Sequence, residues 1–321
     1  MPRPKFTPGS TVTFPVKNRS GKKSLVAYLA SRLGVVDNWA LDLVNDGNVL
    51  LDGIAAAADT LVNLSAGPHE ITVFFPETWP KHMAATEMPL DILYEDDMLL
   101  VLNKPAGIVV HPARGHLDNQ TLQNGVRYRY RHLIGRDDAT IGSPHRLDKD
   151  TSGAIIFALA TDVYVDLVAQ FSASTPHKTY TAILDGTPDF SDLLVDKPIG
   201  PDPKRKGCGT IRPPEEGGKN AQTRFAITES ADGWAVAIAT PFTGRPHQIR
   251  VHAASLGLPL AGDKEYNAQP DRLGFPRQAL HASALSFTHP VTKKKLTVEA
   301  PLPEDMKTAL ERLCGSSRAE W

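Results

Sequence analysis

The fold is decided by residues 145–160, which read HRLDKDTSGAIIFALA. The second half, Ala154 to Ala160, is an unbroken apolar run of strand length, typical of a strand that is buried on both faces of a sheet. The first half places Asp148 between basic residues and before a turn-forming Thr-Ser-Gly sequence. We therefore predict a loop that holds one carboxylate at the rim of a sheet, beside cations that can contact phosphate or a nucleobase.

Composition indicates a folded protein with an ordinary hydrophobic core. Of the 321 residues, 41% are hydrophobic and 22% are charged, which excludes an intrinsically disordered chain. The formal net charge is −1, so a nucleic-acid-binding protein of this composition must gather its basic residues on one face. The two cysteines, Cys208 and Cys314, can neither build a disulfide framework nor fill a tetrahedral metal site alone.

The apolar segments do not suggest a membrane protein or an exported one. The longest apolar runs are of strand length and too short to cross a bilayer. Residues 1–14 lack the apolar centre of a secretory signal. We predict a cytoplasmic protein that acts away from membranes, with a monomer as the default state.

Residues 1–80 are predicted to form a small α+β module, residues 81–89 a linker, and residues 90–321 a larger domain. The linker is expected because prolines interrupt helices and sheets alike. The predicted elements of the module are a helix from Ser24, a helix over Asp37–Val44, and strands over Asn48–Asp52 and Glu70–Phe75.

In the larger domain, predicted strands follow one another with few helices between them. This order predicts an α+β fold with a mixed, mainly antiparallel sheet flanked by helices and loops. The predicted strands are Met98–Leu102, Gly107–His111, Ala154–Ala160, Lys178–Asp185, Thr223–Thr228, Trp234–Ala239, Ala282–Phe287 and Lys295–Ala300. The predicted helices are Thr121–His132, Asp162–Phe171, Arg245–Leu256 and Glu304–Leu313.

The residues around Asp148 leave two alternatives to a catalytic or binding carboxylate. Arg146 and Asp148 can form an ordinary surface ion pair in a turn. Alternatively, Asp148, Asp150 and Thr151 match the Asp-x-Asp-x-Thr pattern of metal-dependent aspartyl phosphatases, with Asp263 as a second acidic site. That fold requires a hydrophobic strand directly before the nucleophile, whereas here the apolar strand follows it.

A second candidate block is residues 243–252, which read TGRPHQIRVH. A helix that begins at Arg245 would place Arg245 and His247 in its first turn, where the helix dipole disfavours cations. Cations there suggest an anionic partner nearby. A metal site made of His247 and His252 is a weak alternative, because residues five apart do not share a helical face. Structural histidines are the better alternative.

Two further blocks place polar residues beside predicted strands. Lys178 and Tyr180 open an apolar strand. Lys104 and His111 stand near the two ends of a predicted hairpin whose turn reads Pro-Ala-Gly. Neither block indicates a function by itself, because a tyrosine in a strand is usually a core residue.

Taken together and in this order, the four blocks resemble the RluA-type family of RNA pseudouridine synthases. The resemblance covers roughly residues 90–300, and its most specific parts are residues 145–153 and 243–252. It implies an RNA substrate and a reaction without metal or small-molecule cofactor. In that reaction the N1–C1′ bond of a uridine is cut, the uracil turns, and it is rejoined through C5.

The resemblance also implies roles for individual residues. Asp148 corresponds to the single essential aspartate, and Arg250 to the arginine that pairs with it. Arg146 corresponds to the arginine that helps to displace the target base, and Tyr180 to the tyrosine that stacks on the uracil. The Tyr180 hydroxyl is also a candidate catalytic base for the C5 proton. Further contacts to RNA are expected from Lys104, His145, Lys178, Arg245 and His247.

Residues 1–80 resemble a degenerate S4-type RNA-binding domain. Their second helix carries Asp37, Asp42 and Asp46, whereas that domain usually presents Arg and Lys there. The resemblance favours ribosomal RNA as the substrate, with transfer RNA as the alternative. A metal-dependent aspartyl phosphatase and a catalytically silent RNA-binding protein are the two alternative functions.

Overall fold

The structure of the chain is a computed structural model. The structure describes residues 9–16, 22–33, 37–63, 69–76, 85–111, 120–134, 136, 138–231, 233–267 and 274–314. None of the helices in these ranges combines the length and hydropathy of a membrane span. The chain forms two compact units, residues 1–87 with 111–129, and residues 88–110 with 130–321. The predicted linker lies partly outside the described residues, and the predicted domain boundaries stay a prediction.

The first unit combines short strands with helices. Its elements are β1 (Thr11–Pro15), β2 (Lys22–Ser24), α1 (Leu25–Leu33), α2 (Asp37–Asn45), β3 (Val49–Leu51), β4 (Ile54–Ala55), β5 (Leu61–Asn63), β6 (Glu70–Phe74) and α3 (Leu122–Arg129). Four strands form an antiparallel sheet in the order β1-β6-β3-β4, and β2 pairs with β5. Leu25, Leu29 and Leu33 recur every four residues and give α1 one apolar face. That face is buried in one hydrophobic cluster with Ile71 and Val73 of β6.

The second unit is built on a ten-stranded sheet and one separate hairpin. The strands of the whole unit are β7 (Ile92–Glu95), β8 (Leu99–Lys104), β9 (Ala139–Gly142), β10 (Ser152–Ala160), β11 (His177–Asp185), β12 (Asp192–Asp196), β13 (Ile199–Pro201), β14 (Gly209–Ile211), β15 (Gln222–Ala231), β16 (Trp234–Pro241), β17 (Leu280–Thr288) and β18 (Lys295–Glu299). Its helices are α4 (Thr161–Ser172), α5 (Gln248–Ser255) and α6 (Glu304–Cys314). The sheet order is β12-β15-β16-β11-β17-β10-β8-β7, with β18 on β17 and β9 on β10, while β13 and β14 form a separate hairpin.

Strand β10 lies in the middle of this sheet, as its unbroken apolar sequence predicted. Ala154 and Ile156 face one side and pack in a cluster with Val163 and Leu167 of α4. Phe157 points to the other face and is also fully buried. Burial of a side chain such as Ile156 contributes about 2 kcal/mol to stability. Strand β10 pairs in parallel with β17, whereas the other strand pairs of the described sheet are antiparallel, so the predicted fold class is confirmed.

Gly153 fixes the point where the Asp148 loop enters strand β10. Its φ angle is +115°, and a Cβ atom at this position would lie 2.3 Å from the carbonyl oxygen of Ala282 in β17. Gly153 pairs with Ala282 at the start of the parallel ladder. Any side chain here would force the two strands apart. The glycine therefore determines where the Asp148 loop ends and allows the chain to enter the sheet beside β17.

The predicted strand over residues 107–111, and with it the hairpin, is wrong. Strand β8 ends at Lys104, whose side chain is fully buried. The Lys104 ammonium donates hydrogen bonds to the carbonyl oxygens of Pro105 (2.8 Å), Ile108 (2.7 Å) and Lys149 (2.8 Å). The backbone after Lys104 curls around this cation into a turn, instead of returning as a strand.

Lys104 connects the end of β8 to the loop that carries Asp148, because Lys149 belongs to that loop. Burial lowers the pKa of the Lys104 ammonium to about 7, and the carboxylates of Asp150 and Asp148 oppose that shift. The three carbonyl acceptors also favour the charged form. The side chain thus serves as an internal cross-link between two backbone segments.

Helix α5 begins three residues later than predicted. Pro246 disfavours helical geometry at the residue before it, which is Arg245. His247 has a left-handed backbone, with φ 54° and ψ 21°, and the helix starts at Gln248. Arg245 and His247 therefore precede the helix, and the argument that placed them in its first turn is wrong.

We expect Lys104→Met to lower the free energy of unfolding by about 3 kcal/mol, because three buried carbonyl groups lose their donor. Urea unfolding followed by circular dichroism measures this change. Lys149→Met is the matched control, because the Lys149 side chain is exposed in the same loop. Equal stability of the two variants would contradict the cross-link.

Candidate active site

A cleft of about 360 Å³ opens in the second unit beside the Asp148 loop. This volume lies within the range of sites that hold small organic ligands. The predicted site residues that line the cleft are His145, Arg146, Asp148, Lys178, Tyr180, Arg245, His247 and Arg250. Lys104 is not among the lining residues, because it is fully buried behind the loop. The structure therefore assigns Lys104 to the support of the site and not to its surface.

The Asp148 loop is held by hydrogen bonds along its backbone. The carbonyl oxygen of Asp148 accepts from the N–H of Thr151 (3.1 Å), which closes a tight turn. Buried Arg277 donates from Nη1 to the carbonyl oxygen of Asp150 (2.9 Å), and it forms an ion pair with Asp305 of α6 (2.7 Å). With the backbone fixed, the Asp148 side chain faces the cleft and keeps 19% of its surface exposed.

The guanidinium of Arg250 organises the charges of the site. Its Nη1 atom lies 3.2 Å from Oδ2 of Asp148. Its Nε and Nη2 atoms donate to both oxygens of Asp263, at 2.7 and 2.8 Å. Nη2 also donates to Oε2 of Glu265 (2.6 Å). The predicted proximity of Arg250 to Asp148 is present, and the main anchor of Arg250 is a two-bond contact with Asp263.

Burial alone would lower the pKa of Arg250, but hydrogen bonds and charges from Asp263, Asp148 and Glu265 reverse this and raise it above its usual value. Sequence reasoning missed Asp263 and Glu265 as partners of Arg250. In the sequence, Asp263 was considered only as the second acidic site of the phosphatase alternative. Asp263 is fully buried against the guanidinium, so Arg250 stands where such a site would need a metal ion.

Tyr180 lies on strand β11 and forms a wall of the cleft near Asp148. Only 9% of its surface is exposed. The pKa of the Tyr180 hydroxyl is raised well above its usual value, mainly by burial and to a smaller extent by the negative charge of Asp148. The hydroxyl therefore stays protonated at neutral pH, and its ring presents an apolar surface to a ligand.

The segment between β16 and α5 is attached to strand β15 through the side chain of Gln248. The side-chain oxygen of Gln248 accepts from Thr243 Oγ1 (2.7 Å) and from the Arg245 N–H (3.0 Å). The Gln248 amide donates to Gln222 O (2.9 Å) and Thr223 Oγ1 (3.0 Å). Sequence reasoning missed Gln248, which holds one wall of the cleft in place.

The remaining predicted contacts line the rim. Lys178 donates to the carbonyl oxygen of Thr243 (3.1 Å), and burial lowers the pKa of its ammonium to about 8. The Arg146 side chain is exposed. The His145 ring stacks on Phe171 with 4.4 Å between centroids. Arg245 donates from Nε to the carbonyl oxygen of Asn220 (2.9 Å) and lines the cleft.

His247 and His252 occupy separate environments. His247 Nε2 lies 3.8 Å from Oδ1 of Asp148. His252 is fully buried between Thr223 Oγ1 (2.9 Å) and the carbonyl oxygen of Lys197 (2.9 Å), so it is a structural histidine. Within the part of the chain that the structure describes, no group of three or more His, Cys, Asp or Glu side chains has the geometry of a metal site.

The cleft thus joins one carboxylate, a guanidinium that holds it, a neutral phenol and a rim of cations. A carboxylate in this setting can act as a nucleophile or as a base on a ligand. The basic rim suits a polyanionic ligand. A planar ring can lie against Tyr180.

Comparisons with known proteins agree with this chemistry. A family model described as RNA pseudouridylate synthase matches residues 98–255. An uncharacterized RNA pseudouridine synthase of Bacillus subtilis, YlyB, is 40% identical over 87% of this chain and 88% of its own length. Ribosomal large subunit pseudouridine synthase D of Zymomonas mobilis is 37% identical over 77% of this chain and 80% of its own.

A solved structure adds the fold. Human RNA pseudouridylate synthase domain containing 1 is 27% identical, with a TM-score of 0.57 over 72% of this chain and 95% of that chain. The residues that the family model matches, 98–255, include both the Asp148 loop and the segment that carries Arg250. Sequence, geometry and relatives lead to one conclusion: the chain belongs to the RluA-type family of RNA pseudouridine synthases.

Proposed function

We propose that this cleft converts a specific uridine of large-subunit ribosomal RNA to pseudouridine, with Asp148 as the catalytic residue. The observation that carries the proposal is the Asp148 carboxylate, which faces a cleft beside Tyr180 while Arg250 holds it from behind at 3.2 Å. The phosphatase alternative receives no support from the relatives, which are RNA pseudouridine synthases.

The reaction is an isomerisation, so the product has the same atomic composition as uridine. The N1–C1′ bond breaks, the uracil turns, the C5–C1′ bond forms, and the C5 proton leaves while N1 gains one. The Asp148 carboxylate acts on the intact uridine, either as a nucleophile at C6 or C1′ or as a base that takes the 2′ proton, and this leads to cleavage of the N1–C1′ bond. Arg250 orients this carboxylate in the cleft. The neutral Tyr180 hydroxyl is a hydrogen-bond donor rather than a ready base.

A uridine stacked in RNA must leave the stack to reach Asp148, which costs a few kcal/mol. Tyr180 can recover part of this cost by stacking on the uracil, a contact worth about 1–3 kcal/mol. The exposed Arg146 is suited to fill the vacated space or to hold a phosphate. His145, Lys178 and Arg245 extend the contact surface for the RNA backbone.

Ribosomal RNA is favoured as the substrate because several relatives carry the name ribosomal large subunit pseudouridine synthase D. Transfer RNA is the competing substrate in the tests below. Residues 1–80 are proposed to add an S4-like RNA contact, and residues 90–321 to carry catalysis. A ribosomal substrate would place the protein in the cytoplasm, and a monomer stays our expectation.

Asp148→Asn should abolish conversion, with a fall of about a thousandfold or more, because the amide is neither a nucleophile nor a base. Tritium release from C5-labelled uridine measures the reaction, in transcripts of large-subunit ribosomal RNA and of transfer RNA. RNA binding by the variant should stay within about threefold of wild type, because no phosphate contact is removed.

Asp150→Asn is the matched control, because Asp150 lies in the same loop and is the second acid of the phosphatase pattern. Its tritium release should stay close to wild type. Undiminished release by Asp148→Asn would refute the catalytic role of Asp148. A wild-type protein that binds both RNAs and releases no tritium would instead support the silent RNA-binding alternative.

Lys178 predicts a pH dependence of RNA binding. Its ammonium is charged below about pH 8 and neutral above it, so its attraction to phosphate is present at pH 7 and lost by pH 9. We expect wild-type affinity for RNA to fall by about fivefold over this range, roughly 1 kcal/mol. Lys178→Arg keeps its charge throughout and should show a flatter profile. Parallel pH profiles of the two proteins, from filter binding at fixed salt, would contradict this role.

A further inference from the structure

Tyr266 contacts both groups that flank the Asp148 carboxylate. Its hydroxyl lies 2.9 Å from Nδ1 of His247. Its ring lies under the Arg250 guanidinium, with 4.9 Å from Cζ to the ring centroid. Tyr266 is not a lining residue of the cleft. The sequence around it did not indicate a functional residue. Its contacts make it a candidate for positioning the catalytic group.

The hydrogen bonds of the Tyr266 hydroxyl define the direction of its proton. The backbone N–H of Gly209 donates to the hydroxyl oxygen (2.9 Å). Burial raises the pKa of Tyr266 well above its usual value, so the hydroxyl keeps its proton. The near acceptor for that proton is Nδ1 of His247. A His247 ring that accepts at Nδ1 carries its own proton on Nε2.

The Nε2 atom of His247 is the one that faces the catalytic carboxylate. It lies 3.8 Å from Oδ1 of Asp148, whereas Arg250 Nη1 lies 3.2 Å from Oδ2. The two carboxylate oxygens thus each face one nitrogen, Oδ1 that of the imidazole and Oδ2 that of the guanidinium. Hydrogen bonds in an unliganded active site are often long and shorten when the substrate binds. In the Nε2–H form, His247 and Arg250 together define the orientation of the carboxylate.

Glu265 is the competing partner of His247. Its Oε2 atom lies 3.5 Å from Nδ1 of His247 and would favour a proton on that nitrogen. The same oxygen already accepts from Arg250 Nη2 at 2.6 Å. The Tyr266 oxygen is closer to Nδ1, and the Tyr266 ring meets the imidazole edge-on, with 5.7 Å between centroids. His247 itself has a left-handed backbone, a costly conformation that is often found at functional sites.

We propose that Tyr266 is a positioning residue that holds His247 in the Nε2–H tautomer and supports Arg250, so that both N–H groups orient the Asp148 carboxylate. The inference rests on the proposed function of the Asp148 cleft. Tyr266 does not touch the substrate in this scheme. Its hydroxyl acts on the reaction through His247, and its ring acts through Arg250.

Tyr266→Phe removes the hydroxyl and keeps the ring. We expect the single-turnover rate of tritium release to fall by about tenfold. A His247 imidazole that exchanges between its two tautomers holds the Asp148 carboxylate in place for only part of the time. The dissociation constant for RNA should change by less than about twofold, because no RNA contact is lost. Tyr94→Phe is the matched control. Its hydroxyl donates to Asp96 (2.7 Å) outside the cleft, so its rate should equal that of wild type.

Nitrogen-15 NMR of histidine-labelled protein at pH 8.5 reads the tautomer directly. His247 is assigned by the signal that disappears in His247→Gln. Wild type should show a protonated Nε2 and an unprotonated Nδ1, and Tyr266→Phe should show averaged shifts of two exchanging tautomers. This signature would not move if Tyr266 only stabilised the fold.

An Nδ1–H tautomer in wild type overturns the inference, even if Tyr266→Phe does not fold well enough to be assayed. A tenfold slower Tyr266→Phe with an unchanged tautomer also overturns it, and so does an unchanged rate. If wild type releases no tritium from either RNA, the proposed function fails, while the spectra of wild type and Tyr266→Phe together still decide whether Tyr266 sets the tautomer of His247.

Discussion

The active site depends on how the buried guanidinium of Arg250 is shared among carboxylates. Asp263 takes two of its nitrogens in a parallel pair of hydrogen bonds, which fixes the plane of the guanidinium. The remaining nitrogen, Nη1, then points toward Asp148. A buried cation without partners would be strongly destabilising, so the contacts that stabilise Arg250 also orient the Asp148 carboxylate.

The loop that carries Asp148 is supported from its buried side by two further cations. Lys104 binds the carbonyl oxygen of Lys149, and Arg277 binds that of Asp150. Both cations are buried and held by several acceptors, so they fix the backbone without entering the cleft. Gly153 then allows the chain to enter strand β10 beside β17. Asp148 is thus presented by a loop whose ends are both anchored, which reduces the motion of the carboxylate.

Much of the sheet could be predicted because its strands have local signatures. The apolar run after Asp148 and the alternating or apolar runs of β11, β16 and β17 match the observed strands within two residues. The failures have local physical causes. The segment after Lys104 has the composition of a strand, but a buried ammonium draws its carbonyl groups inward. The first turn expected for α5 is prevented by Pro246 and by the left-handed His247.

The sequence by itself singled out Asp148 as the candidate catalytic acid and predicted the type of sheet that carries it. It also predicted which cations and which tyrosine lie around that acid, because each lies in a short block with a recognisable order. Only the tertiary structure decided how the charges are paired. Arg250 and Asp148 are 102 positions apart, and Asp263, Glu265 and Tyr266 reach Arg250 through a turn without a periodic pattern. A contact between distant segments depends on packing, and no local spacing encodes it.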